Sequence, residues 1–247
     1  MGYLKQELPM ELKGFGEAFD SLGYQYSYND LFYDFIDYLV ACFLVDGDKE
    51  VAERLERKYK ENYRIFDKLL LEILKAMDKK LNSAKWFDPL GVVYETITSK
   101  WKSSAMGQFF TPESIVDLMT VIVNPATGAK QAVLDCACGS GRMLLSAHAH
   151  APGNYQFAAD LDPICAKMTA VNMLLHGCVG EVSCMDSISY KWFFGFDVNP
   201  LLNKYGTPYL QKIDCFENSN FYAQPTQKEM VVKQEKKMNF GTQLQLF

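Results

Sequence analysis

The sequence predicts an α/β fold, a doubly wound sheet preceded by a helical region of about a hundred residues, and three observations carry that prediction. Apolar side chains recur at helical spacing through the front of the chain. After residue 106 short apolar runs alternate with helical stretches. Three of those runs end in an aspartate, the place where an open α/β sheet binds its ligand. In the lead, Leu31, Phe35, Leu39 and Phe43 share one helical face, as do Leu70, Ile73, Leu74, Met77 and Leu81. Lys49 to Tyr63, dense in charge, reads as a solvated helix, and a further helix covers Leu90 to Lys102. Thr111-Pro112-Glu113 combines an N-cap, a first-turn proline and an acid, which starts a helix running toward Asn124-Pro125. The three runs are Ala132 to Asp135, Tyr155 to Asp160, and Glu181 to Met185 followed by Asp186. Helices from about Gly141 to Ala149 and from Pro163 to His176 lie between them.

Charge divides the chain into the same parts. Residues 1–100 hold 14 basic and 18 acidic side chains, residues 101–222 hold 7 and 10, and residues 223–247 hold 4 and 2, so the charge-poor middle is the most buried. The expected organisation is a helical region over 1–105, a ligand-binding α/β domain over 106–222 and a flexible tail over 223–247. A formal net charge of −5 gives no global positive field, so any nucleic-acid contact is local. No uncharged stretch approaches the length of a membrane span, and the N-terminus lacks a signal-peptide core, which places the chain in the cytoplasm. Seven cysteines without framework spacing read as reduced thiols, and no metal site is expected because neither the Cys136/Cys138 pair nor the His148/His150 pair has a second pair at zinc spacing.

Asp135-Cys136-Ala137-Cys138-Gly139-Ser140-Gly141 follows the first strand and opens a helix, which turns backbone amides toward the ligand. Leu144 stands where a dinucleotide fingerprint needs its third glycine, and the Gly-Lys-Ser/Thr of a P-loop is absent. A phosphate-free ligand such as S-adenosylmethionine needs different donors. The turn would hold its carboxylate, an acid after the second strand its ribose hydroxyls, and an acid after the third its adenine amine. Asp160 and Asp186 occupy those two places.

From about Phe87 to Ile188 the residues resemble the modification subunits of type I restriction systems and related adenine-N6 DNA methyltransferases. The resemblance rests on Phe87-Asp88-Pro89-Leu90-Gly91-Val92-Val93-Tyr94-Glu95, Gly107-Gln108-Phe109-Phe110-Thr111-Pro112, the glycine turn, Asp160-Leu161-Asp162-Pro163, Asn172 before Leu175-His176-Gly177, and Asp186-Ser187. It implies a Rossmann-like S-adenosylmethionine-dependent methyltransferase sheet behind the helical region. Gln108, Phe109, Phe110, Thr111 and Pro112 would close over the methionine end, with Asp135, Cys138, Gly139 and Gly141 in the turn beneath, Asp160 on the ribose and Asp186 on the adenine. Cys136 stands where the family usually has proline. In the family an Asn or Asp, two prolines and an aromatic hold the flipped base after the fourth strand. The matching segment is Phe196-Asp197-Val198-Asn199-Pro200-Leu201-Leu202, which makes Asn199 and Pro200 the candidate catalytic residues although leucines replace the second proline and the aromatic. Asn-Pro is also a common turn dipeptide, and both readings stay open. Sixty-one residues follow Asp186, so the sheet is expected to be shortened and DNA recognition to need a separate specificity subunit or domain. The implied function is methyl transfer to the adenine amine in a restriction-modification system, or a regulatory or accessory role on DNA if only the cofactor pocket survives. Separately, Gln243, Leu244, Leu246 and Phe247 resemble the Gln-Leu-x-Leu-Phe peptide that docks on the bacterial DNA sliding clamp.

Overall fold

A computed structural model describes residues 2–101, 110–123 and 132–221. Gln108, Phe109 and the four candidate clamp-binding residues lie outside them. The lead consists of α1 (Tyr3–Glu7), α2 (Lys13–Asp20), α3 (Tyr28–Phe43), α4 (Lys49–Tyr59), α5 (Ile65–Leu81) and α6 (Pro89–Trp101). The expected face of α3 is buried at Leu31, Phe35 and Leu39, with Phe32 and Ile36 beside them. On α5 the core face is rotated from the expected one: Phe66, Leu69, Ile73, Ala76 and Met77 are buried, whereas Leu74 and Leu81 are exposed. Helix α4 is charged but not merely solvated. Leu55 and Tyr59 are fully buried, and its cations reach back to α3, where Lys58 Nζ meets Asp34 at 2.6 Å and Arg54 Nη2 meets Asp37 at 2.6 Å.

Then come α7 (Glu113–Val123), β1 (Ala132–Asp135), α8 (Arg142–His150), β2 (Tyr155–Asp160), α9 (Pro163–Leu175), β3 (Val179–Asp186), β4 (Lys191–Val198), α10 (Leu202–Tyr205) and β5 (Leu210–Ile213). This is a five-stranded mixed sheet, a shortened Rossmann-like methyltransferase fold. Strands β1, β2 and β3 are parallel and neighbours in that order. Two successive right-handed crossovers in one direction bring α8 and α9 to the same face of the sheet. Gln156, Ala158, Val182, Phe196 and Val198 point into that layer; Gln156 Nε2 donates to Leu144 O at 2.7 Å.

The sheet differs from a doubly wound one at β4. Only Ser187 to Tyr190 separate β3 from β4, far short of the dozen or more residues a parallel crossover requires, so β4 turns back antiparallel on the outer side of β3 and β5 follows it. Among the described residues no strand lies on the other side of β1, and the strand order therefore has no reversal.

Residues 1–214 make one compact unit. One continuous core runs from Leu4 through α3 and α6 to α9 and the sheet; Phe32 stacks near Tyr94, and Lys167 Nζ of α9 pairs with Asp37 of α3 at 2.6 Å. A second unit begins at Cys215, and its described part holds a single 3-10 turn, Phe216–Asn218. Among the described residues no helix is long and apolar enough to cross a membrane.

Candidate cofactor site

Parallel pairing brings Asp135, Asp160 and Asp186 to the carboxyl ends of neighbouring strands, each two residues beyond the partner of the last. The chain after β1 makes a tight turn with Gly139 at φ +56° and Gly141 at φ +92°, left-handed values that suit glycine. At Gly139 a Cβ would also lie 2.9 Å from the Phe110 ring, so the ring sits directly on the turn. Hydrogen bonds join the three strand ends. Gly139 N–H donates to Asp160 Oδ2 at 2.8 Å, Cys138 N–H to Ala159 O at 3.0 Å, and Ser187 Oγ–H to Cys136 O at 3.0 Å. The structure thus gathers Phe110, Thr111, Asp135, Cys138, Gly139, Gly141, Asp160 and Asp186 around the turn, with Pro112 next in the chain.

A cavity of about 70 Å³ opens there, lined by Phe110, Thr111, Asp135, Cys138, Gly139, Arg142 and neighbours. It has room for a compact polar group. The first amides of α8 have no intrahelical acceptor and carry the positive end of the helix dipole, which suits a carboxylate. Asp135, on the same wall, suits an ammonium. Burial raises the Asp135 and Asp160 carboxyls above the ordinary range, while hydrogen bonds from Ser189 and Ile188 hold Asp186 below it. Burial also keeps Cys138 a thiol. Leu161 and Ile188, 60% and 94% exposed, flank Asp160 and Asp186 as apolar side chains facing water.

Sequence reasoning missed what holds the turn in place. Arg142 is the first residue of α8, where a cation opposes the helix dipole. It is nevertheless buried. Its Nε donates to Asp88 Oδ2 at 2.6 Å, Nη2 to Glu95 Oε2 at 2.6 Å and Nη1 to Thr111 O at 3.2 Å, and its guanidinium lies 5.3 Å from the centre of the Phe110 ring. Asp88 is fully buried and accepts as well from Ser140 Oγ at 2.6 Å, Asn172 Nδ2 at 2.7 Å and Gly91 N at 2.7 Å. A signal existed, because Arg142 is the only lysine or arginine between Lys130 and Lys167.

Asn199 and Pro200 do not join the site. Antiparallel pairing sets Lys191 beside Asp186 and Val198 beside Gly180, so Asn199 emerges at the opposite end of β3, roughly 20 Å away at a strand's rise per residue. Asn199 is buried and its side chain is fully engaged. Nδ2 donates to Leu174 O at 3.1 Å and Cys178 O at 2.9 Å, and Oδ1 accepts from Tyr209 N–H at 3.1 Å. With φ at +53° it is a turn residue whose side chain closes the C-terminus of α9, which is the geometry of the turn reading of Asn199-Pro200.

Three aspartates gathered about a glycine turn, at the carboxyl ends of parallel strands in a shortened Rossmann-like methyltransferase fold, define a candidate small-ligand site. The N-6 DNA Methylase family model matches residues 85–240, more than half of the chain, and the chain belongs to that family. The Type I restriction enzyme MjaVII methylase subunit of Methanocaldococcus jannaschii is 26% identical over 134 residues, covering 51% of this chain and 22% of that protein. The Type I restriction enzyme HindI methylase subunit of Haemophilus influenzae is 33% identical over 100 residues, 36% of this chain and 22% of that one. The MjaIX methylase subunit of M. jannaschii is 26% identical over 110 residues, 40% and 19% of the two chains. The chain spans about a fifth of the length of these curated relatives.

Proposed function

We propose that the chain binds S-adenosylmethionine at the carboxyl ends of β1, β2 and β3 and serves DNA adenine-N6 methylation of the restriction-modification kind. The observation that carries this reading is the gathering of three aspartates around one glycine turn, in strand order. The donor set fits the cofactor. The α8 N-terminus takes the methionine carboxylate and Asp135 the ammonium, inside the small cavity. Asp160 keeps acceptor capacity for the ribose hydroxyls, since each carboxylate oxygen has two lone pairs and the Gly139 and Asp162 N–H groups use one apiece. Asp186 accepts from the adenine amine, and Leu161 and Ile188 give the flat base apolar neighbours. When bound, the cofactor supplies an electrophilic methyl group. The chain's own task is to orient it through the turn that Asp88 and Arg142 hold rigid.

The place of Asn199 favours a second, narrower reading. The chain then furnishes the cofactor half, and groups that hold the flipped adenine come from another segment or from a subunit that also reads the DNA sequence. Calorimetric titration with S-adenosylmethionine, together with transfer of tritiated methyl to mixed DNA, tests both. Binding that falls at least tenfold in Asp160→Ala supports the pocket, and label on adenine supports the enzyme. Binding without transfer leaves the accessory reading alone, and absence of binding overturns the proposal.

A further inference from the structure

Helix α9 is buried over most of its length, and two of its buried side chains are polar. Thr169 and Asn172 are both fully buried and stand three residues apart, so they share one helical face. That face meets the back of the glycine turn. Thr169 Oγ–H donates to Gly139 O at 2.8 Å, and Asn172 Nδ2 donates to Ser140 O at 2.9 Å. Thr169 also packs against Gly141, where an added Cβ would lie 3.1 Å from its Cγ2. Asn172 has a second task, since its Nδ2 donates to Asp88 as well. The Thr169 hydroxyl serves the turn.

A trans peptide points its carbonyl and its N–H in opposite directions. Thr169 holds the Gly139 carbonyl toward α9, so the N–H of the same peptide, that of Ser140, points away from α9. The cavity lies on that side, because its lining includes Gly139 and Ser140 and, among the described residues, nothing from α9. The Ser140 N–H makes no hydrogen bond among the described residues, whereas the next amide is spent: Gly141 N–H closes the turn on Cys138 O at 2.8 Å. We infer that Thr169 is a positioning residue of the cofactor site, which aims the Ser140 N–H at the carboxylate of an amino-acid ligand. Gly139 lacks the side chain that would restrict this peptide, and the hydroxyl fixes its plane before the ligand arrives. The inference rests on the S-adenosylmethionine reading and adds to it one named donor and the side chain that orients it.

Calorimetric titration of the full chain with two thioether nucleosides tests the assignment: S-adenosylhomocysteine, which keeps the amino-acid end, and methylthioadenosine, which lacks it. Thr169→Val keeps the shape and the contact on Gly141 but deletes the donor. It should weaken S-adenosylhomocysteine about tenfold while methylthioadenosine stays within about twofold. Thr169→Ser keeps the donor, loses the methyl, and should bind both like the wild type. A role in packing alone predicts the reverse, with valine silent and serine impaired, and a role in folding alone weakens both ligands together. In the wild-type chain the Ser140 amide resonance should move on adding S-adenosylhomocysteine and stay in place with methylthioadenosine, a comparison that needs no variant to fold. Full S-adenosylhomocysteine affinity in Thr169→Val, an equal loss of both ligands, or an unmoved Ser140 resonance overturns the assignment and leaves the cofactor site standing. A wild-type chain that binds neither nucleoside overturns the cofactor reading itself, and the assignment with it.

Discussion

The two ends of β3 use the same materials and do opposite things. At one end Asp186 closes the strand, is half-buried, and shares the turn region with Asp160 and with Asp135, whose carboxylate lines a cavity. At the other, Asn199 is sealed, with both side-chain amide atoms committed to backbone groups of its own fold. A short polar side chain after a strand is therefore not in itself a functional sign. What distinguishes the ends is where the polar side chain faces, an open cavity at one and the sealed interior of the fold at the other.

That contrast can be broken by substitution. The largest effect is expected behind the open end. Asp88→Asn leaves Arg142 buried without its main counter-charge and should cost about 3–5 kcal/mol in denaturant unfolding, with loss of cofactor affinity. Next, Asn199→Ala strands two carbonyls and an N–H and places alanine at positive φ, which should cost about 2–3 kcal/mol while S-adenosylmethionine affinity stays within about twofold. An Asn199→Ala protein of full stability that binds no cofactor would erase the distinction between the ends.

Acid should act differently on binding and on folding. Burial raises Asp160 and Asp135, so cofactor affinity should weaken as pH falls through values above the ordinary carboxylate range near about 4, and Asp160→Asn should flatten that profile in calorimetry. These raised groups do not themselves favour unfolding in acid, because the folded chain is the form that takes the proton more readily. Half-buried His148 and His176 have the opposite sign. Burial lowers both, the unfolded chain protonates first, and the stability they contribute is full above the ordinary histidine value of about 6.5 and lost as pH falls through their folded values. Thermal melts of His176→Gln should lose part of that acid slope. The smallest effect belongs to Ile188→Ser, an exposed residue, which should leave stability unchanged and weaken cofactor binding about twofold to fivefold if the side chain covers the adenine.

Much of this fold could be read from local patterns. The three strands ending in aspartate, the two helices between them and the glycine turn were legible because each depends on residues close together in sequence. The rotated face of α5 was not, since Leu74 and Leu81 satisfy helical spacing as well as Phe66 and Leu69 do, and only packing against α2 selects between the faces. The direction of β4 hung on a connection of four residues, a length that favours a hairpin over the family's crossover. Asp88 and Arg142 were hidden for another reason. They are 54 residues apart, and a buried ion pair leaves no periodicity.

Where Asp88 sits also bears on how the protein can be cut. It belongs to the helical lead by sequence, yet three of its partners, Ser140, Arg142 and Asn172, belong to the sheet. A fragment beginning near residue 106 would carry a buried guanidinium without its aspartate and would expose the α9 surface that α3 and α6 now cover. The lead is thus a wall of the core that backs the sheet rather than an appendage, and expression of the sheet alone should give an insoluble product.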